Sequence, residues 1–288
     1  MEYKLTAYSI YEVGKRTDAA GNPHQEDYIF PSCSEISGNS RVFILCDGMG
    51  GHDAGEIASS VVCGSLGKSI RSMLNANPIF SMAELKQALS TAYDALDAND
   101  IGSSKKMGTT LAMVVFHNHG VMVAHIGDSR VYHIRTGNSD NETSILFQTE
   151  DHSLLNSLVK AGEISLEEAK QSVKKNIITR AMQPNADRSE ADVTEISDIQ
   201  QGDWFYICSD GMLEQEEMED GSAIKRIFSN QVEDDEKVRI LKGATSENQD
   251  NHSAIIIKVD SVKDIETKES KVYQRGSIWS QIKRFIKQ

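Results

Sequence analysis

One stretch constrains this chain more than any other: Arg41-Val-Phe-Ile-Leu-Cys-Asp47-Gly48-Met49-Gly50-Gly51-His52. A short, branched apolar run over residues 42–45, ending at glycines, predicts a buried strand. It stops on Asp47, and a carboxylate at the end of a buried strand needs a partner such as a metal ion. Gly48, Gly50 and Gly51 let the backbone turn sharply and come close to whatever Asp47 holds. A helix opens just beyond, at Asp53-Ala-Gly-Glu-Ile-Ala-Ser59.

The pattern recurs. Trp204-Phe-Tyr-Ile-Cys-Ser-Asp210-Gly211 is a second apolar run closed by Asp-Gly, and Val121-Met-Val-Ala-His-Ile-Gly127-Asp128 is a third run ending in an acid. Asp250-Asn251 stands just before the strand expected at residues 254–259, and Glu26-Asp27 just before Tyr28-Ile-Phe30. A single Asp-Gly is an ordinary turn signal. Acids at the ends of several neighbouring strands are more than that, because they can converge on one sheet edge. Oxygen-only ligands of this kind suit Mg²⁺ or Mn²⁺ rather than zinc.

With 43 acidic and 30 basic residues the net charge is −13, which argues against nucleic acid as the main partner. No run approaches the roughly 20 apolar residues of a membrane span, and the polar start Met1-Glu-Tyr-Lys4 has no signal-peptide core. The four cysteines are scattered; Cys46 and Cys208 fall inside apolar strands and read as small core residues. A reducing cytoplasmic location is the expectation.

Along the chain, residues 3–13 predict a first strand, and residues 54–74 and 83–98 carry apolar residues at helical spacing. Residues 109–116 and 121–126 predict a buried hairpin around Asn118-His119-Gly120. Strands at 131–135 and 144–147 follow, then helical segments at 153–161 and 165–170. Further strands are expected at 176–182, 192–196 and 204–209, with helices at 222–230 and 236–245 before the last strand. Strands and helices in blocks, without regular β-α-β alternation, indicate an α+β fold of mostly antiparallel sheets covered by helices. The expected organisation is one domain over residues 1–260 and a basic tail over 261–288. In that tail Ile278, Trp279, Ile282, Phe285 and Ile286 share one helical face opposite Lys283, Arg284 and Lys287. Such a helix can lie on a membrane surface, dock into a partner, or fold back on the domain.

Taken in order, Phe43-Ile-Leu-Cys-Asp-Gly-Met-Gly-Gly-His52, Gly108-Thr-Thr-Leu111, Gly127-Asp-Ser-Arg130, Thr149-Glu-Asp-His-Ser153, Ile178-Thr-Arg-Ala181, Ser209-Asp-Gly211 and Asp250-Asn251 resemble the metal-dependent protein phosphatases of type 2C. The Met49 variant of the first motif resembles the bacterial branch. The resemblance spans about residues 5–259 and implies a four-layer α-β-β-α sandwich with two or, in bacterial relatives, three Mn²⁺ or Mg²⁺ ions. Carried over, Asp47 would bridge two ions, and the Gly48 carbonyl would bind one of them. Asp210 and Asp250 would ligate the other, with Glu26 and Asp27 acting largely through water. Asp128 with Asp210 would hold a third ion. Residues 152–175 take the place of the family's substrate-bordering flap. The implied activity is hydrolysis of phosphoserine and phosphothreonine in proteins, opposing a serine/threonine kinase. The same acids would repel a phosphomonoester unless cations overcompensate them. Paired metal ions supply a bridging hydroxide near neutral pH that attacks phosphorus in line, so Ser129, Ser153 and Ser209 read as structural.

Two departures matter. The family's phosphate-binding Arg, four residues before the Glu of Glu-Asp, is here Asn22, leaving Arg16 or Lys15 as substitutes. The His of the eukaryotic Asp-Gly-His-Gly-Gly motif is Met49, which cannot donate a proton, leaving His52, His24 or metal-bound water. They keep open a catalytically weak phosphoprotein-binding module on the same fold; a metal-dependent phosphoesterase acting on small molecules is a third reading. His125 and His133, inside apolar strands, are expected in the core.

Overall fold

The computed structural model describes residues 1–263 apart from 16, 18, 19, 51, 52, 101, 103–106, 138, 140, 141 and 172–176. Its strands are β1 (Glu2–Glu12), β2 (Asp27–Phe30), β3 (Val42–Met49), β4 (Gly108–Thr109), β5 (Leu111–His117), β6 (Gly120–Ile126), β7 (Arg130–Arg135), β8 (Ser144–Gln148), β9 (Asp192–Ile196), β10 (Trp204–Cys208) and β11 (His252–Lys263). The helices are α1 (Asp53–Ala76), α2 (Met82–Ala98), α3 (Leu154–Lys160), α4 (Leu166–Gln171), α5 (Glu216–Glu219), α6 (Ser222–Ile227) and α7 (Asp234–Thr245), with a 3₁₀ turn at Asp210–Leu213.

The strands form two antiparallel sheets, one in the order β1-β11-β10-β7-β8 and the other β2-β3-β5-β6-β9, with β4 hydrogen-bonded to β3. Side-chain alternation explains why so many strands read as unbroken apolar runs. On β3, Phe43 and Leu45 point between the sheets, whereas Val42, Ile44 and Cys46 face α1 and α2. On β10, Phe205 and Ile207 point between the sheets, and Trp204, Tyr206 and Cys208 pack with residues of α6 and α7. Both faces of the central strands are dry, so the layers run α-β-β-α as the resemblance implied.

Local signals set several boundaries. Ser81 caps α2 in a capping box with Glu84, two orphan backbone donors being satisfied reciprocally. β11 runs to Lys263, opposite Glu2 of β1, three residues beyond the expected domain boundary at 260. The strand expected at 176–182 is not formed by the described residues of that stretch. Ile178 and Met182 make only isolated bridges, to Ser153 and Thr109. Their backbone groups are shared between two different elements, and so no ladder develops. The tail segment 277–288 lies outside the described residues. No helix among the described residues is long and apolar enough to cross a membrane.

Candidate active site

Antiparallel pairing brings the first two acids together. Asp27 opens β2 as the register partner of Asp47 near the end of β3. The Gly108-Thr-Thr-Leu111 motif fixes the Asp47 backbone: its N–H donates to Thr110 Oγ1 (3.0 Å), and its carbonyl accepts from Thr110 N (2.8 Å) and Thr109 Oγ1 (2.9 Å). Gly48 N donates to the Glu26 carbonyl at 3.0 Å. A Cβ on Gly48 would stand 2.2 Å from Gly55 O and 2.7 Å from Glu26 O, so only glycine permits this approach. Glu26 lies against the start of α1, where a Cβ on Gly55 would meet its carboxyl carbon at 2.9 Å.

The later acids arrive from the other sheet. Asp210 follows β10 and Asp250 precedes β11; a Cβ on Gly211 would come within 2.0 Å of Asn251 O and 3.3 Å of Asp250 Cβ. Asn251 ties this corner to the first, its Oδ1 accepting from Glu26 N (2.8 Å) and its Nδ2 donating to the His24 carbonyl (2.8 Å). Asp128, Asp210 and Asp250 line one cavity of about 340 Å³ with Arg130, Asp151, Glu214 and Glu219.

The electrostatics record the convergence. Burial pushes the Asp47 carboxyl well above the usual range, and Asp27, Asp210, Asp128 and Asp250 add repulsion. Burial raises Asp27 to about 7, against hydrogen bonds that lower it, with Asp210 and Asp250 adding repulsion. Asp128 is likewise raised to about 7 by burial, Asp210 and Asp151. Asp27 accepts from Ser209 Oγ (2.9 Å) through Oδ2, while its buried Oδ1 has no hydrogen-bond partner. Arg130, the cation beside this rim, is committed to a two-pronged pair with Asp151 at 2.8 and 2.7 Å. Clustered carboxylates held above their usual pKa, one with an orphaned buried oxygen, fit hard divalent cations.

The expected substitutes for the missing phosphate ligand and proton donor fare differently. Lys15 pairs with Glu247, and Arg16 and His52 lie outside the described residues. His24 Nε2 is 3.4 Å from a Glu26 carboxylate oxygen, at the rim itself. Ser129 is hydrogen-bonded to Thr110, and Ser153 caps α3. His125 and His133 are buried.

Sequence reasoning missed Glu214. Its carboxylate accepts from Gln249 N and from Asp250 N at 2.8 Å, holding the Asp250 loop from below. Its position four residues after Asp210, opening a short acidic run, is a signal only once the 3₁₀ turn is known.

Comparison with known proteins decides the family: the protein phosphatase 2C profile matches residues 13–244. The chain belongs to the protein phosphatase 2C family. The chemistry of that family is metal-dependent protein dephosphorylation. A serine/threonine phosphatase of Listeria welshimeri, stp, is 32% identical over 236 residues, covering 78% of this chain and 86% of that one. The Mycobacterium tuberculosis serine/threonine phosphatase PstP superposes with a TM-score of 0.70 at 26% identity, covering 89% of this chain and 99% of that one. A structure of the PstP catalytic domain in complex with two manganese ions superposes with a TM-score of 0.65 at 26% identity, covering 90% and 99%.

Proposed function

We propose that this phosphatase 2C chain hydrolyses phosphoserine and phosphothreonine in proteins at the rim formed by Asp27, Asp47, Asp128, Asp210 and Asp250. Two or three Mn²⁺ or Mg²⁺ ions would be held by these carboxylates, by the Gly48 carbonyl and by Glu26. When bound, such ions offset the acid cluster's repulsion of a phosphate ester and supply a hydroxide nucleophile at neutral pH. The observation that carries the reading is the set of acids brought together from five strand ends, with the buried Asp27 Oδ1 left without a hydrogen-bond partner.

The protein's own residues do the positioning. Thr109 and Thr110 clamp the Asp47 backbone, Ser209 orients Asp27, Asn251 joins the Glu26 corner to the Asp250 corner, and Glu214 holds the Asp250 backbone. His24, beside Glu26, is the candidate proton donor to the leaving serine or threonine oxygen. The substrate is a phosphoprotein in balance with a serine/threonine kinase, in the cytoplasm. A phosphopeptide and p-nitrophenyl phosphate assayed with Mn²⁺ test this: Asp210→Asn should abolish hydrolysis of both. Undiminished turnover by that variant would overturn the assignment.

A further inference from the structure

His125, His152 and Asp192 place one donor atom each within 4.8 Å of one another, and the two rings stack at 4.5 Å. The hydrogen bonds argue against a metal here. Gly127 N–H donates to His152 Nδ1 (3.1 Å), so the imidazole proton resides on Nε2, which faces Asp192 Oδ2 at 3.1 Å. The Arg180 guanidinium lies 3.2 Å from that same nitrogen and pairs with Asp192 at 2.7 Å. A second cation would enter a space that a guanidinium already neutralises.

The His152 backbone adds to the pattern. Its N–H donates to Gly127 O (2.9 Å), closing a reciprocal two-bond clasp with the residue before Asp128. Its carbonyl accepts from Thr179 N (2.7 Å) and Thr179 Oγ1 (3.0 Å), and Leu154 N donates to Ile177 O (2.8 Å) beside it. Gly127 has φ +101°, and a Cβ there would strike Thr110, so the loop cannot be stiffened by its own side chain.

We propose that His152 is a positioning residue, fastening the Gly127–Asp128 loop to Thr179, and so setting the affinity of the Asp128-dependent divalent ion. This rests on Asp128 being a metal ligand. Asp192, accepting from Nε2–H, holds the tautomer that leaves Nδ1 open to Gly127. His125, anchored through Nε2 to the Glu150 carbonyl at 2.9 Å, buttresses the ring face.

Two near-isosteric replacements separate the nitrogens. Asn places an acceptor near the position of Nδ1; Gln places an amide near Nε2 and loses the acceptor for Gly127. The experiment is Mn²⁺ titration of the metal-stripped protein by calorimetry, with thermal melting as a folding check. Asp128→Asn should remove one binding step. His152→Gln should weaken that same step about 10-fold, as for other residues that orient ligands, while His152→Asn stays close to wild type. Half-saturating Mn²⁺ for phosphopeptide hydrolysis should rise in parallel in His152→Gln, with kcat retained at saturating Mn²⁺. Equal Mn²⁺ affinity in the Asn and Gln variants, alongside a lost step in Asp128→Asn, would overturn the inference alone. All binding steps intact in Asp128→Asn would overturn the ligand reading and the inference with it.

Discussion

Asp27 and Asp47 stand directly opposite one another across the antiparallel β2–β3 pair, two buried carboxylates in register at the end of a sheet. Like charges in facing positions destabilise a strand pair, and here burial multiplies the effect.

That repulsion has a pH signature in the metal-free protein. Asp27 and Asp128 are raised to about 7 in the fold, against about 3.9 in an unfolded chain. Between these values the native state binds more protons than the unfolded state, so stability falls as pH rises from about 4 to about 7. Melting in chelator should therefore give a lower Tm at pH 7.5 than at pH 5. Saturating Mn²⁺ should raise Tm more at pH 7.5 than at pH 5, because bound ions favour the deprotonated acids.

Asp27→Asn should separate stability from function. Replacing a buried, repelled carboxylate by an amide should raise the Tm of the metal-free protein at pH 7.5, lower phosphopeptide turnover, and shrink the Tm gain on adding Mn²⁺. A lower metal-free Tm would mean that the Ser209 hydrogen bond to Asp27 outweighs the repulsion.

Glu214 holds the Asp250 backbone. Glu214→Ala should raise half-saturating Mn²⁺ by about 10-fold, the usual scale for losing a residue that orients a ligand. A metal titration monitored by activity reads this directly.

Far from the rim, Asp203 accepts from His133 Nε2 (2.9 Å), Arg135 Nε and a terminal guanidinium nitrogen (both 2.8 Å), and Gln200 N (2.9 Å). Burial raises its carboxyl, but these hydrogen bonds outweigh it and the net shift is downward. Asp203→Ala strands a buried set of donors and should cost roughly 3 kcal/mol. Urea unfolding should show the loss, while Mn²⁺ affinity of the folded variant stays unchanged.

Truncation after Lys263, which retains the whole of β11, should leave phosphopeptide turnover intact. Sedimentation with anionic vesicles, comparing full-length and truncated protein, should show binding only by the former if the face of Ile278, Trp279, Ile282, Phe285 and Ile286 meets membranes.

Much of this was legible in the sequence because strand ends are marked twice, by the end of an apolar run and by the acid or glycine that follows. Asp47, Asp128 and Asp210 carried both marks. Glu214 carried neither, since its role depends on a 3₁₀ turn that folds it back under a loop 35 residues later. The failed strand at 176–182 had suitable residues, but its partners were split between Ser153 and Thr109, which local pattern cannot reveal. The clasp of His152 on Gly127 was equally hidden, because a histidine in a polar motif does not announce which nitrogen is engaged.

The double-sided apolar character of β10 leaves an ambiguity that its ends resolve. A one-residue slip would exchange Phe205 and Ile207 for Trp204 and Tyr206 without exposing anything polar, so hydrophobicity alone is a weak guard against it. Asp203, pinned before the strand, and Ser209, pinned to Asp27 after it, act as two pegs fixing its length. A salt bridge at the far end of the strand thereby serves as the ruler that delivers Asp210 to the chemistry, since each residue of slip displaces it by about 3.4 Å.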